Sequence, residues 1–292
     1  MAQVLAGTLQ SIGLIRRLKP GALLLTGGWV GLPVALAAWL LRVPSLIYLP
    51  DVEPGLAIRV LQRLAQKVAI TVPDSATYFR PGQTVVTGYP LRAQMHSATR
   101  EAAVAHFGLD PARKTLLVFG GSRGARSINT ALLAVLPPLL ADGVQVVHVS
   151  GTLDWPQVEA ARAALPDATD YHAYPYLHAE MGLAMAAADL VVSRGGASVL
   201  GEFPAFGLPS ILVPYPHAWR YQKVNADYLA ARGAALVMND ADLTLQLLPT
   251  VRTLLESSTR LRDMRAAAQR LAEHDSAWRV GQELLRLAGE TA

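Results

Sequence analysis

The chain has 292 residues, with 26 Lys and Arg against 22 Asp and Glu, a formal net charge of +4 and only 16% charged residues, below the ~25% of an average globular domain. That balance, with 52% hydrophobic residues and no cysteine, excludes a disordered polyelectrolyte, a disulfide framework and thiolate-ligated metal centres. The cationic surplus forms no lysine-rich tract or basic and aromatic alternation, so no nucleic acid is expected as a partner. The length suits about two domains.

In chain order, the first helical stretch sets an apolar run, Ile12 to Ile15, directly before Arg16, Arg17 and Lys19. This order of basic after apolar residues is the reverse of a signal peptide. Two readings stand for it: apolar and basic surface that touches anionic lipid, or an amphipathic helix packed on its own lobe. Residues 21–41 carry no charge and are long enough to cross a bilayer, but Gly21, Gly27, Gly28, Gly31 and Pro33 interrupt them. A buried strand, a glycine turn and a helix from Val34 is the better parse.

From there β-rich runs alternate with helical stretches, the pattern of parallel sheets covered on both faces. Strands are predicted at 22–26, 45–49, 67–71, 84–87, 115–119, 145–149, 190–193, 210–213 and 235–238. Residues 88–111 turn polar and read as a linker. The expected architecture is α/β with two Rossmann-like doubly wound lobes: a partial first lobe over 1–95, a second over 111–275, and a terminal helix over 276–292. The end of the chain, 257–292, reads as two amphipathic helices broken near Asp275.

Two strand ends carry candidate chemistry. The first runs Phe119-Gly120-Gly121-Ser122-Arg123-Gly124-Ala125-Arg126-Ser127, where glycines open a helix whose free N–H groups and dipole favour an anion. Its spacing departs from the dinucleotide fingerprint, and a glycine turn without a ligand is the competing reading. The second is Ser193-Arg194-Gly195-Gly196-Ala197-Ser198-Val199-Leu200-Gly201-Glu202. First-turn N–H groups of Ala197, Ser198 and Val199 suit a phosphate. Glu202, one turn beyond Ser198, can accept two hydrogen bonds from the vicinal diol of a ribose. Phosphate with ribose implies a nucleotide, against the alternative of a solvated acid near a helix start. Pro204 should kink or shorten that helix. Gln222 and Asn225, with paired donors and acceptors, suit sugar hydroxyls or the start of a helix. Asp240-Ala241-Asp242 spells a metal-binding DxD pattern, but helix capping is the expected role.

Together the runs 120–129, His148-Val149-Ser150-Gly151, 188–202, Gly207-Leu208-Pro209 and 222–226 resemble the nucleotide-sugar half of the MurG family. These are glycosyltransferases of the two-lobed GT-B fold that move N-acetylglucosamine from UDP-GlcNAc to a lipid-linked muramyl-pentapeptide during peptidoglycan synthesis. The resemblance implies that Ser150 and the 197–199 turn contact the donor phosphates, together with the anion site at Gly121, Ser122 and Gly196. It puts Glu202 on the ribose, Gln222 and Asn225 on the sugar, and the backbone near Leu177 and His178 on the uracil. Arg194 or Arg126 would offset charge on the departing UDP. No metal or cofactor is implied.

The front half resembles the family more loosely, at 26–33 and Thr87-Gly88-Tyr89-Pro90-Leu91-Arg92. The family's first glycine-rich loop, with its histidine, has no counterpart before Ala22, so a first lobe without that portion, or a partner supplying it, is expected. The family's His-Glu-Gln-Asn stretch stands here as Tyr48-Leu49-Pro50-Asp51; Asp51 is the candidate base. The implied partners are UDP-GlcNAc and a polyprenyl-pyrophosphate-linked acceptor, and the implied place is the cytoplasmic face of the plasma membrane. Two alternatives are a nucleotide-sugar-binding protein without activity of its own, and a related transferase acting on a diacylglycerol-type lipid.

Overall fold

A computed structural model of the chain describes residues 2–121, 125–217 and 220–290. They form two compact units, Met1–Pro90 with Glu273–Ala292 and Leu91–Ala272, each built on one parallel sheet. The fold is α/β, as expected.

In the first unit the strands are β1 (Leu23–Leu25), β2 (Ser45–Leu49), β3 (Lys67–Ile70) and β4 (Thr84–Val86). They pair in sequence order, β1-β2-β3-β4, all parallel. Because successive side chains of a strand point to opposite faces, β2 and β3 feed two cores. Ile47, Leu49, Val68 and Ile70 pack with Ala35, Ile58 and Leu61. Leu46 and Ala69 pack with Val280 of the helix Ser276–Ala288. The uncharged stretch 21–41 forms β1 and the separate helix Gly31–Leu40, as the glycines required. No helix of the described residues is long and apolar enough to cross a membrane.

The second unit holds β5 (Thr115–Phe119), β6 (Gln145–Val149), β7 (Tyr171–Tyr174), β8 (Leu190–Ser193), β9 (Ser210–Leu212) and β10 (Ala235–Val237). Their order is β10-β9-β8-β5-β6-β7, so the winding reverses between β5 and β8. This is the topological switch point of a doubly wound sheet, outside which ligands bind at the strands' carboxyl ends. The helix Arg126–Ala141 covers the sheet with Ile128, Ala131, Leu132, Val135, Leu136 and Leu139, a stripe at helical spacing.

Two features differ from the sequence reading. β7 was not predicted, because Tyr-His-Ala-Tyr has no apolar run; it is an edge strand with Tyr171 and Ala173 turned inward. Within the stretch read as a linker lie two helices, Ala93–His96 and Arg100–Phe107, which bury Met95, Ala103 and Phe107. Thr99 caps the second of them by accepting a hydrogen bond from the Ala102 N–H at 3.2 Å.

Candidate functional site

Both glycine turns singled out in the sequence leave the strands that flank the switch point, β5 and β8. A parallel sheet sends all its chain ends to one edge, so residues far apart in sequence converge there.

On the β5 side Gly121 is exposed and Ser122 lies outside the described residues. The helix Arg126–Ala141 starts after Ala125, which has no capping side chain, so its first-turn N–H groups stay open to an anion. The Arg126 side chain is 77% exposed, and its Nε donates to Asp154 Oδ1 at 3.0 Å. Behind this surface runs a buried polar chain. Asn129 Nδ2 donates to Ser150 O (2.8 Å) and Asp154 Oδ2 (2.9 Å). His148 Nε2 stands 2.9 Å from Asn129 Oδ1, and its Nδ1 stands 2.7 Å from Tyr171 Oη. Since Asn129 Oδ1 only accepts, the imidazole donates through Nε2 and accepts the Tyr171 hydroxyl at Nδ1. Burial in this site pushes the His148 pKa down to about 4 and that of Tyr171 up.

Ser150, expected at the phosphates, is fully buried; its hydroxyl donates to Gly151 O at 3.1 Å. Its carbonyl is held by Asn129 Nδ2.

On the β8 side Gly196, Ala197 and Ser198 are half-buried. The helix Val199–Phe206 begins there, and the Val199 N–H turns back to Gly196 O at 3.2 Å. The N–H groups of Ala197 and Ser198 remain to receive an oxyanion. Glu202 lies one turn on; desolvation raises its pKa, opposed by a hydrogen bond from Ser198 and by the charge of Arg92. Arg92 was missed as a site residue because it sits far from Glu202 in sequence. It also lines an open cavity of ≈ 260 Å³ with Gln94, Met95, His178 and Ala179. Leu177 is buried beside this cavity's His178. His178 is exposed, and its N–H donates to Glu180 Oε2 at 3.1 Å. Pro204 sits in the last turns of a helix that ends at Phe206, with Gly207 as a left-handed cap. The helix is short, as the proline implied.

The next helix, Tyr221–Ala231, comes so close that a Cβ on Gly195 would lie 2.3 Å from Gln222 O. Only glycine fits that approach. Asn225, expected on the sugar, is fully buried and donates to Gly195 O at 3.1 Å, so it holds the turn. Gln222 is half-buried and accepts the Tyr215 N–H at 2.9 Å. Arg194 is buried and bonded within the protein: its Nη1 donates to Val213 O (3.0 Å) and Asp240 Oδ1, and its Nη2 to Ser127 Oγ (2.7 Å). Asp242 starts the helix Leu243–Glu256 without a side-chain cap bond. The expected capping by Asp240-Ala241-Asp242 is thus replaced by an ion pair at Asp240. No cluster of three or more His, Cys, Asp or Glu suited to a metal occurs among the described residues.

In the first unit Tyr48 Oη lies 3.0 Å from Thr71 Oγ1 and donates to Gly88 O at 3.4 Å. Asp51 follows β2 and is half-buried. The sequence reading missed Glu53, a buried carboxylate that accepts from Arg59 Nη2 at 2.7 Å.

A doubly wound unit with a helix starting beyond each of the two strands at its switch point, and a desolvated carboxylate one turn into the second helix, is the arrangement the sequence led one to expect of a nucleotide-sugar enzyme. The profile of the glycosyltransferase family 28 C-terminal domain matches residues 115–280. The UDP-N-acetylglucosamine–N-acetylmuramyl-(pentapeptide) pyrophosphoryl-undecaprenol N-acetylglucosamine transferase of Roseiflexus sp. is 43% identical over 94% of this chain and 71% of its own length. The crystal structure of Acinetobacter baumannii MurG superposes with a TM-score of 0.79 at 26% identity, covering 97% of this chain and 78% of that one. The UDP-GlcNAc 2-epimerase of Neisseria meningitidis, bound to UDP-GlcNAc, shares the fold alone, with a TM-score of 0.71 at 13% identity over 97% of this chain and 81% of that one. The chain belongs to the MurG family of N-acetylglucosamine transferases.

Proposed function

We propose that the chain moves N-acetylglucosamine from UDP-GlcNAc to a polyprenyl-pyrophosphate-linked muramyl-peptide acceptor, with inversion at the anomeric carbon. The observation that carries this reading is the pairing, at one switch point, of open N–H groups at Ala197 and Ser198 with the desolvated Glu202 carboxylate. Phosphate oxygens accept from those N–H groups and from the first turn of the helix Arg126–Ala141. The ribose hydroxyls donate to Glu202, with Arg92 near enough to favour its charged form. Leu177 and the cavity at His178 take the uracil, and Gln222 meets the sugar. Ser150 and Asn225 support these groups from behind.

As UDP departs, negative charge grows on its phosphates, and fixed N–H dipoles at two helix starts stabilise it without reorganising. Arg126, largely exposed, adds a cation on the same edge. A base must take the acceptor proton; Asp51, after β2, fills this role in the proposal. Exposed Leu5, Leu9 and Leu18 share the helix Ala2–Leu18 with Arg16 and Arg17, which suits peripheral contact with an anionic membrane at the cytoplasmic face.

Calorimetric titration with UDP, followed by transfer of labelled N-acetylglucosamine to the lipid acceptor, tests the proposal. Binding with UDP release supports it. No heat with UDP defeats it, and binding without transfer supports a nucleotide-sugar-binding protein that needs a partner.

A further inference from the structure

Asp240 stands at the start of the turn 240–242 after β10, where a capping acid was expected and no cap bond exists. Its Oδ1 instead accepts from Arg194 Nη1 and from Ser127 Oγ, the latter at 2.7 Å. Arg194 Nη2 donates to that same Ser127 oxygen at 2.7 Å, so the three side chains close a ring. Arg194 also reaches Val213 O, and its guanidinium carbon lies 5.3 Å from the centre of the Tyr215 ring. The pair is shielded from water, with side-chain exposures of 9% for Arg194 and 22% for Asp240.

The members of this ring come from different strand ends. Ser127 is the second residue of the helix that follows β5, Arg194 directly precedes the Gly195-Gly196 turn after β8, and Asp240 follows β10. The ring thus connects the two helix starts that face the anion across the switch point. A buried guanidinium without its carboxylate is costly, so Arg194 would move if Asp240 lost its charge. The glycine turn attached to it would move too. Displacements well under 1 Å degrade binding that depends on fixed N–H groups.

We infer that Asp240 is a positioning residue for the nucleotide: through Arg194 and Ser127 it sets the spacing between the N–H groups at Ala197 and Ser198 and the first turn of the helix Arg126–Ala141. This rests on the donor-site reading above, and it gives a role to an acidic pair that the sequence offers as a cap or a metal site.

The test is a UDP titration of the wild type, Asp240→Asn, Asp240→Glu, Ser127→Ala and the Asp240→Asn/Ser127→Ala double variant, with melting temperatures recorded for each. Asp240→Asn is expected to weaken UDP about tenfold, the loss of one charge-assisted bond. Asp240→Glu should recover most of that loss. The double variant should bind no more weakly than Asp240→Asn, because both changes open the same ring. In transfer assays the donor KM should rise and kcat should fall, because the same N–H groups stabilise the departing UDP, while the acceptor KM stays within about twofold. If Asp240→Asn fails to fold, Ser127→Ala, which keeps the ion pair, still decides: a several-fold weakening supports the inference. Unchanged affinity in either folded variant, or multiplied losses in the double variant, overturns it. A wild type that gives no heat with UDP overturns the donor-site reading itself, and the inference with it.

Discussion

The first sheet runs β1-β2-β3-β4 without reversal, whereas the second turns back between β5 and β8. Both consist of parallel strands with helices packed on them, so local sequence rules treat them alike. They differ in what gathers at the carboxyl edge. A sheet wound in one direction stacks its connections side by side, while a reversal sends the two helices at the switch point to opposite faces and opens a crevice there. Bonded polar side chains accordingly gather in the second unit, in its buried chain from Tyr171 to Asp154 and its ring at Arg194. The first unit instead spends its outer surface on apolar side chains, among them Leu5, Leu9, Trp29, Val30 and Trp39.

This contrast can be broken most strongly at Asp51. If catalysis draws on the first unit and donor binding on the second, Asp51→Asn should lower kcat by roughly 10²-fold or more with UDP affinity unchanged by calorimetry. An unchanged kcat would leave the first unit without a base at this position. Next in size, Glu202→Ala should weaken UDP about a hundredfold, the loss of two hydrogen bonds to a charged acceptor. Stability should separate the units as well. His148→Phe strands the Tyr171 hydroxyl and Asn129 Oδ1 in the core, and urea unfolding should show a loss of about 2–3 kcal/mol. Tyr48→Phe, in the first unit, should cost about 1 kcal/mol or less, because Thr71 Oγ1 keeps its bond to Leu49 O. Replacing Leu5 and Leu9 by Ser should reduce sedimentation with anionic vesicles about tenfold and leave UDP binding intact.

The smallest net effect concerns pH, since two groups of the second unit oppose each other. His148 stays neutral in the fold down to about 4 against an ordinary value of 6.5. Between those values the unfolded chain holds more protons at this site, so its contribution to stability falls as pH drops. Glu202 has the opposite sign. Its raised pKa means that the folded protein holds the proton more tightly, so its contribution falls as pH rises from the ordinary glutamate range through the raised value. UDP affinity should decline on acidification through that same raised value, because a protonated Glu202 accepts poorly from ribose. Glu202→Gln should flatten that decline, and it should leave the His148 slope in place when melting is followed against pH.

Much of the scaffold was legible in the sequence. Nine of the strands stand where β-rich runs and turn residues put them, because a strand buried on both faces must be a short apolar run between breakers. β7 was hidden since an edge strand needs only two inward residues, Tyr171 and Ala173. Gly195 and Glu202 could be singled out because a glycine turn and a helix repeat are local. The commitments of Ser150, Asn225, Arg194 and Asp240 could not be read in the same way. Each is decided by a partner from another strand end: Asn129, Gly195, Ser127 and Arg194 respectively.

What the sequence determined by itself was therefore nine of the strands and the two glycine turns proposed to hold phosphate, since propensity, periodicity and helix-start chemistry act over a few residues. The tertiary structure alone decided which polar side chains are buried and bonded within the protein and which stay exposed at the edge of the sheet. Burial and hydrogen-bond pairing are fixed only when strands distant in the chain converge on one edge of the sheet.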